Sequence, residues 1–211
     1  MCSFASEEEH AYELSQKFRI HPQSRRLVWS PSDDYIMILS HDGTILVLTN
    51  TCDLVGTIES AELSDDKGSK VQYLLPFQSD TPTPSDTHTF NLHIVFSTGD
   101  VATARLCLKH THTPKGNSIQ IEVYCRYKLY MTRNGRRDSI DAAVFLPRRS
   151  LLLVVSALTH RTRHLQCLWY NEKNSSLEAI PDGSTDMSLK CAYPLVEPAP
   201  FLDISVDPTE R

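Results

Sequence analysis

Nine histidines in a chain of 211 residues invite a metal reading first. His110-Thr111-His112 would put two imidazoles on one face of an extended segment, and His88 and His93 lie on a neighbouring loop and strand. A zinc site needs three or four converging ligands with supporting partners around them. The neighbours here are Thr, Pro, Lys and Gly, a solvated composition, so exposed loop histidines are the expectation and no metal or cofactor is called for. Asp33-Asp34 and Asp65-Asp66 are carboxylate pairs, but each sits in a turn, where Asp serves the local backbone. No GxSxG elbow, P-loop or GxGxxG occurs, and the seven glycines do not cluster. Enzymatic and metal-binding functions are therefore the weakest readings.

The six cysteines are scattered, without a CxxC pair or metal-knuckle spacing. Buried free thiols are expected. Cys107 and Cys125 fall on neighbouring expected strands and are placed to face each other, which alone makes no disulfide.

Arginines offer the better candidate site. Arg133, Arg136 and Arg137 precede one blade-like repeat, Arg148 and Arg149 sit in its first turn, and Arg161 and Arg163 in its next connection. Two readings suit them: solvated charge that keeps the chain soluble, or a surface for an acidic protein partner or anionic membrane. Specific nucleic-acid binding fits poorly, since the net charge is -5 and interleaved aromatics for base stacking are missing. Successive turns alternate between two rims, so these arginines need not share one patch.

The elements that must position them are short strands. Arg26–Trp29, Tyr35–Ser40, Thr44–Thr49 and Leu54–Ile58 are runs of strand-forming residues between turn formers, with Asp42-Gly43 marking a hairpin. A looser set follows at Val71–Phe77, Phe90–Ser97, Val101–Leu108 and Ser118–Leu129, interrupted by a Pro/Ser/Thr/Asp-rich loop at 78–89. Ile119, Ile121 and Val123 share one face of the last of these. A third set spans Ile140–Phe145, Leu151–Ala157, Leu165–Tyr170 and roughly 176–180. Within it, Leu151–Val155 carries no polar alternation and should be buried on both faces.

These sets repeat one phrase. Leu27-Val28-Trp29-Ser30-Pro31 returns as Ala143-Val144-Phe145-Leu146-Pro147, and its opening returns as Ile204-Ser205-Val206-Asp207-Pro208. The prolines space the copies by about 60 residues per blade, longer than a compact WD repeat of ~40–45. The fold class is all-β: a partial WD40-like β-propeller of about three blades plus the start of a fourth. Residues 1–20 read as a partly disordered lead-in and 21–211 as the propeller, with blades near 21–60, 69–130, 138–181 and an incomplete one at 201–211. Breaking off within a copy of the phrase, the chain is expected to leave its ring open. It would then expose an apolar blade face and aggregate alone. The acidic N-terminus and the absence of a long apolar run point to a cytoplasmic location.

In order, Arg25-Arg26-Leu27-Val28-Trp29-Ser30-Pro31, Gly43-Thr44-Ile45, Asp53-Leu54-Val55-Gly56, Leu92-His93-Ile94-Val95-Phe96 with Gly99, Pro147–Val155 and Leu168-Trp169 resemble the N-terminal β-propeller of the neuroblastoma-amplified sequence family. The resemblance runs from about Phe18 onward. It implies a non-enzymatic scaffold from a subunit that tethers Golgi-derived vesicles at the endoplasmic reticulum in retrograde transport. It also implies a link to messenger RNA surveillance. Its implied partners are tethering-complex subunits and SNARE machinery, with peripheral membrane association through the complex. No binding residue carries over. The alternative is a propeller of another assembly, such as a kinetochore or RNA surveillance scaffold.

Overall fold

The computed structural model describes residues 24–66, 68–78, 88–109, 117–129, 140–157 and 163–180. The first sheet contains β1 (Ser24–Trp29), β2 (Tyr35–Ser40), β3 (Ile45–Thr49) and β4 (Leu54–Ile58). The second contains β5 (Val71–Gln78), β6 (His88–Phe96), β7 (Asp100–Lys109) and β8 (Ser118–Lys128). The third contains β9 (Ile140–Leu146), β10 (Leu151–Ala157), β11 (Arg163–Asn171) and β12 (Ser176–Ala179). Each is a four-stranded antiparallel meander in chain order.

The sheets meet like strand on like strand. β1 touches β5 and β5 touches β9, while β4 touches β8 and β8 touches β12. First strands thus line the inside and last strands the outside, the radial stacking of propeller blades. The expected strands agree with these bounds to within one or two residues. The lead-in at 1–20 and the fourth-blade segment at 201–211 lie outside the described residues.

Turn chemistry closes the hairpins as expected from Asp42-Gly43. The Gly43 N–H donates to the Ser40 carbonyl at 3.0 Å, the Ser40 N–H to the Thr44 carbonyl at 2.9 Å, and Asp42 Oδ1 accepts the Thr44 N–H at 2.9 Å. Only Gly43 of the pair adopts positive φ, at 93°. That is the type I turn with a left-handed closing residue typical of three-residue hairpin loops. The same position in other turns is filled by Cys52 (φ 68°) and Ser150 (φ 50°), which lack glycine's freedom.

Two apolar seams form the core. Between the first two blades, Met37, Leu39, Ile45 and Val47 pack against Leu92, Ile94, Ala104 and Leu106, all 0% exposed. Ile119, Ile121 and Val123 of β8 pack on the same seam, as their shared face predicts. Between the second and third blades, Val95 and Val101 meet Leu152, Val154 and Leu168. Leu151, Leu152, Val154 and Val155 are buried and Leu153 is half-buried, in keeping with the unbroken apolar run. The middle blade is covered on both faces, so the alternation of polar and apolar residues along β6 does not mark a solvent face. Its polar members Asn91 and His93 are buried too.

A four-residue helix, α1 (Ser60–Leu63), leads from the first blade to the second. Glu59 and Glu62 form a reciprocal capping box at its start. Leu63 is fully buried below it.

Candidate functional site

The phrase Phe145-Leu146-Pro147-Arg148-Arg149 puts a proline at the first position of a 3-10 turn, Pro147–Arg149, which leaves β9. Arg148 and Arg149 are exposed on that turn. Arg163 begins β11 opposite Ala157, at the far end of β10 from Leu151. A seven-residue strand separates the two ends by about 20 Å at ~3.3 Å per residue. Arg148 and Arg149 therefore occupy one rim and the Arg163 backbone the other, so the arginines do not form a single patch. Arg133, Arg136, Arg137 and Arg161 lie outside the described residues.

The histidine expectation needs correction at His93. Far from a solvated loop, this side chain is 0% exposed in the seam between the second and third blades. Its ring stacks on Phe77 at 4.4 Å and meets Phe145 and Tyr170 edge-on at 4.4 and 5.0 Å. Nδ1 lies 3.0 Å from Thr103 Oγ1, on the next strand and also fully buried, while Nε2 has no hydrogen-bond partner. Burial holds the imidazole neutral, its pKa pushed down to about 3. Beside it, the Tyr124 and Tyr170 hydroxyls meet at 3.1 Å, and desolvation followed by that hydrogen bond raises the Tyr124 phenol.

A second set of ties crosses the inner strands. The Arg26 guanidinium lies 4.0 Å from the centre of the Tyr73 ring, and the Tyr73 hydroxyl donates to the Asp141 carbonyl. One residue from each inner strand thus joins three blades. Sequence reasoning missed this because the three positions are related only through the ring. At the rim, His88 Nδ1 approaches Asp34 Oδ2 at 3.3 Å and its ring meets Tyr35 edge-on at 5.2 Å, clasping the first blade to the second. His110 and His112 lie outside the described residues, among which no three His, Cys, Asp or Glu side chains converge.

The paired carboxylates divide their work. Asp66 Oδ1 accepts the Gly68 N–H at 2.9 Å, a local turn role, whereas Asp65 lies 3.4 Å from Arg126 Nε. Arg126 also donates to the Leu63 carbonyl at 2.9 Å, fastening the end of α1 to the outer strand of the second blade. Cys107 and Cys125 do not face each other. The β7–β8 register sets Cys107 against Gln120 and Cys125 against Thr103. Both thiols are free. What this arrangement does chemically is hold blades together with buried, largely apolar seams and present exposed charge on its turns. No helix among the described residues is long and apolar enough to cross a membrane.

No protein-family model matches the chain, and no curated protein matches it. Solved structures do. The crystal structure of the WD40 domain of SCAP from fission yeast is 14% identical, with a TM-score of 0.50 over 76% of this chain and 34% of that one. The Cps50 (Swd1) β-propeller domain of Myceliophteria thermophila is 11% identical, with a TM-score of 0.43 over 76% and 44%. Kluyveromyces lactis Hsv2 is 14% identical, with a TM-score of 0.39 over 74% and 45%. The chain spans about a third to a half of these structures' own length. Identities this low speak for the fold alone. Among the described residues, three radially stacked, four-stranded meanders that do not close a ring, similar to a WD40 domain, make this a partial WD40-like β-propeller.

Proposed function

We propose that this chain is a non-catalytic share of a protein-interaction scaffold, and that its parent is a vesicle-tethering subunit acting in retrograde transport to the endoplasmic reticulum. The observation that carries the scaffold reading is the construction itself. The buried His93 ring packs on Phe145 and Tyr170 of the next blade and so serves to hold blades together, while exposed charge sits on turns, where partners are met. The tethering role rests on the resemblance of Arg25–Pro31, Leu92–Phe96 and Pro147–Val155 to the neuroblastoma-amplified sequence family. Under that reading the protein works on the cytoplasmic side, reaching the membrane through its complex.

Arg148 and Arg149 are our candidates for the partner-facing side chains, with an acidic protein surface as their counterpart. Affinity capture of the parent protein from cells tests both levels. Recovery of tethering-complex subunits supports the pathway, and recovery of kinetochore or RNA surveillance components instead would replace it. An Arg148→Glu, Arg149→Glu double variant should weaken capture about ten-fold or more if the rim engages an acidic partner. Unchanged capture would remove these two residues from the interface while leaving the scaffold reading to the first measurement.

A further inference from the structure

Arg105 stands midway along β7, between residues that belong to the seam with the first blade. Ala104 and Leu106 pack into that seam, so alternation turns Arg105 to the opposite face, toward the third blade. Thr103 on the same face reaches His93. The Arg105 side chain is half-buried, and its Nε is shut off from solvent without a hydrogen-bond partner. Among the described residues no carboxylate lies within ion-pair distance of it, and no acceptor takes any of its N–H groups. A guanidinium carries five such donors, and withdrawing even part of it from water without acceptors is costly.

The groups around it add donors rather than acceptors. Asn91 sits directly opposite Arg105 on β6, only 9% exposed, with Oδ1 unpartnered. Held by no hydrogen bond among the described residues, its amide can turn either end to a ligand. Desolvation is the main cause that raises the Tyr124 phenol, and the Arg105 charge acts in the opposite sense, which makes the two side chains neighbours. The Tyr124 and Tyr170 hydroxyls meet at 3.1 Å. One donates to the other, so a single proton of the pair is left to give. The one acid in the row is Glu122, exposed and opposite Arg105 on β8. Phe77, which pairs with Asn91, touches Phe145 at 4.8 Å, and each is next to last in its strand. The row therefore lies toward the rim that carries Arg148 and Arg149.

We propose that Arg105, Asn91 and the Tyr124–Tyr170 hydroxyl pair receive the carboxylate of an acidic side chain from a protein partner, entering between the second and third blades from that rim. This contact presupposes the scaffold reading and lies within it. The two oxygens of a carboxylate match the planar fork of one guanidinium and can also accept the remaining hydroxyl proton. Glu122 selects a carboxylate over a phosphate group. One arginine offsets one negative charge, and the second charge of a phosphate would be left facing Glu122.

Peptide binding to the 211-residue chain, immobilised through one end so that copies stay apart, tests this. The probes are a capped Gly-Gly-Glu-Gly-Gly peptide and its counterparts with glutamine or phosphoserine at the centre. The glutamate peptide should bind about ten-fold or more tightly than the glutamine one, the difference a charged hydrogen-bonded pair makes, and more tightly than the phosphoserine one. Arg105→Gln should remove the preference for glutamate, and Arg105→Lys, which keeps the charge without the fork, should keep only part of it. Glu122→Gln should strengthen glutamate binding about two- to five-fold, a response that a merely structural arginine would not give. Equal binding of the glutamate and glutamine peptides by the natural chain would overturn the proposal. So would a preference that survives Arg105→Gln, Glu122→Gln binding that is unchanged or weaker, or tighter binding of phosphoserine. The measurements on the natural chain and on Glu122→Gln do not require an Arg105 variant to fold. Any of these failures removes the site and leaves the scaffold reading to the capture experiment, which does not depend on Arg105.

Discussion

His93 should make the stability of this protein depend on pH in a way that one substitution removes. The imidazole is fully buried, ringed by Phe77, Phe145 and Tyr170, and burial holds its pKa near 3 against an ordinary 6.5. The folded state therefore takes up no proton at this site until well below pH 5, whereas the unfolded chain takes one up as pH falls through 6.5. Between the two values the unfolded state binds more protons, so stability rises with pH across that window and is lost as pH falls through it. From pH 7 to pH 5 the linkage amounts to about 2 kcal/mol. That figure barely depends on the folded value, provided it stays well under 5. Denaturant unfolding followed by circular dichroism at both pH values, on the natural chain and on His93→Leu, gives the comparison. Carboxylates contribute equally to both, so the natural chain should lose about 2 kcal/mol more than the variant. PH dependences that agree within about 0.5 kcal/mol would refute the reasoning. So would a folded-state His93 resonance titrating near its ordinary value.

Four further substitutions read the turns and the seam. Gly43→Ala adds a Cβ 2.2 Å from Ser60 Oγ and 3.0 Å from the Val71 nitrogen at φ +93°, and displaces the Ser60 hydroxyl from the Gly43 carbonyl. A cost of about 2–3 kcal/mol should appear in the urea midpoint, combining left-handed strain with one hydrogen bond. Cys52→Gly and Ser150→Gly relieve the same strain where no glycine stands, at φ 68° and 50°. Each should raise stability by about 0.5–1 kcal/mol after the added freedom of the unfolded chain is subtracted, visible as a higher melting temperature. Tyr170→Phe keeps the rings packed but removes the partner of the half-buried Tyr124 hydroxyl, and should cost about 1 kcal/mol in the same urea titration.

Strands were legible because short runs of β-branched and aromatic residues between Asp, Gly and Pro leave little else to form. Tyr35–Ser40, Leu54–Ile58 and Leu151–Ala157 coincide with the expected bounds residue for residue. Helix α1 escaped notice because its capping pair is Glu59 with Glu62 rather than Ser or Thr with Glu, in a segment that reads as a linker. His93 was misplaced for a deeper reason. A strand that alternates Phe90, Leu92, Ile94 and Phe96 with Asn91 and His93 has the pattern of a half-exposed sheet, and only the third blade converts its polar side into a seam. The available clue was positional: a middle blade has no solvent face. Arg26 over Tyr73 carried no such clue, since a cation–π contact between blades leaves no periodicity in either strand.

The two seams differ in kind, and that difference bears on where recognition can happen. Between the first and second blades the fully buried contacts are chiefly aliphatic and indifferent to pH. Between the second and third, aliphatic contacts are joined by an aromatic cluster around one neutral imidazole, the feature that acid can attack. The polar side chains His93 and Thr103 are fully buried, whereas the exposed charges Asp33, Asp53, Arg148 and Arg149 sit on turns. On the rim that carries Arg148 and Arg149, Asp33 and Asp53 stand exposed over the first blade, and Arg148, Arg149, Lys173 and the single acid Glu172 over the third, so the described charge is acidic at one end and net basic at the other. A uniformly acidic partner would be drawn to one end of that rim and repelled from the other. The better match is a partner with both signs, registered along the arc from the first blade to the third. Its binding should weaken with salt more than contact with the arginines alone would suggest, because added ions screen the attraction at Asp33 and Asp53 as well as that at Arg148 and Arg149.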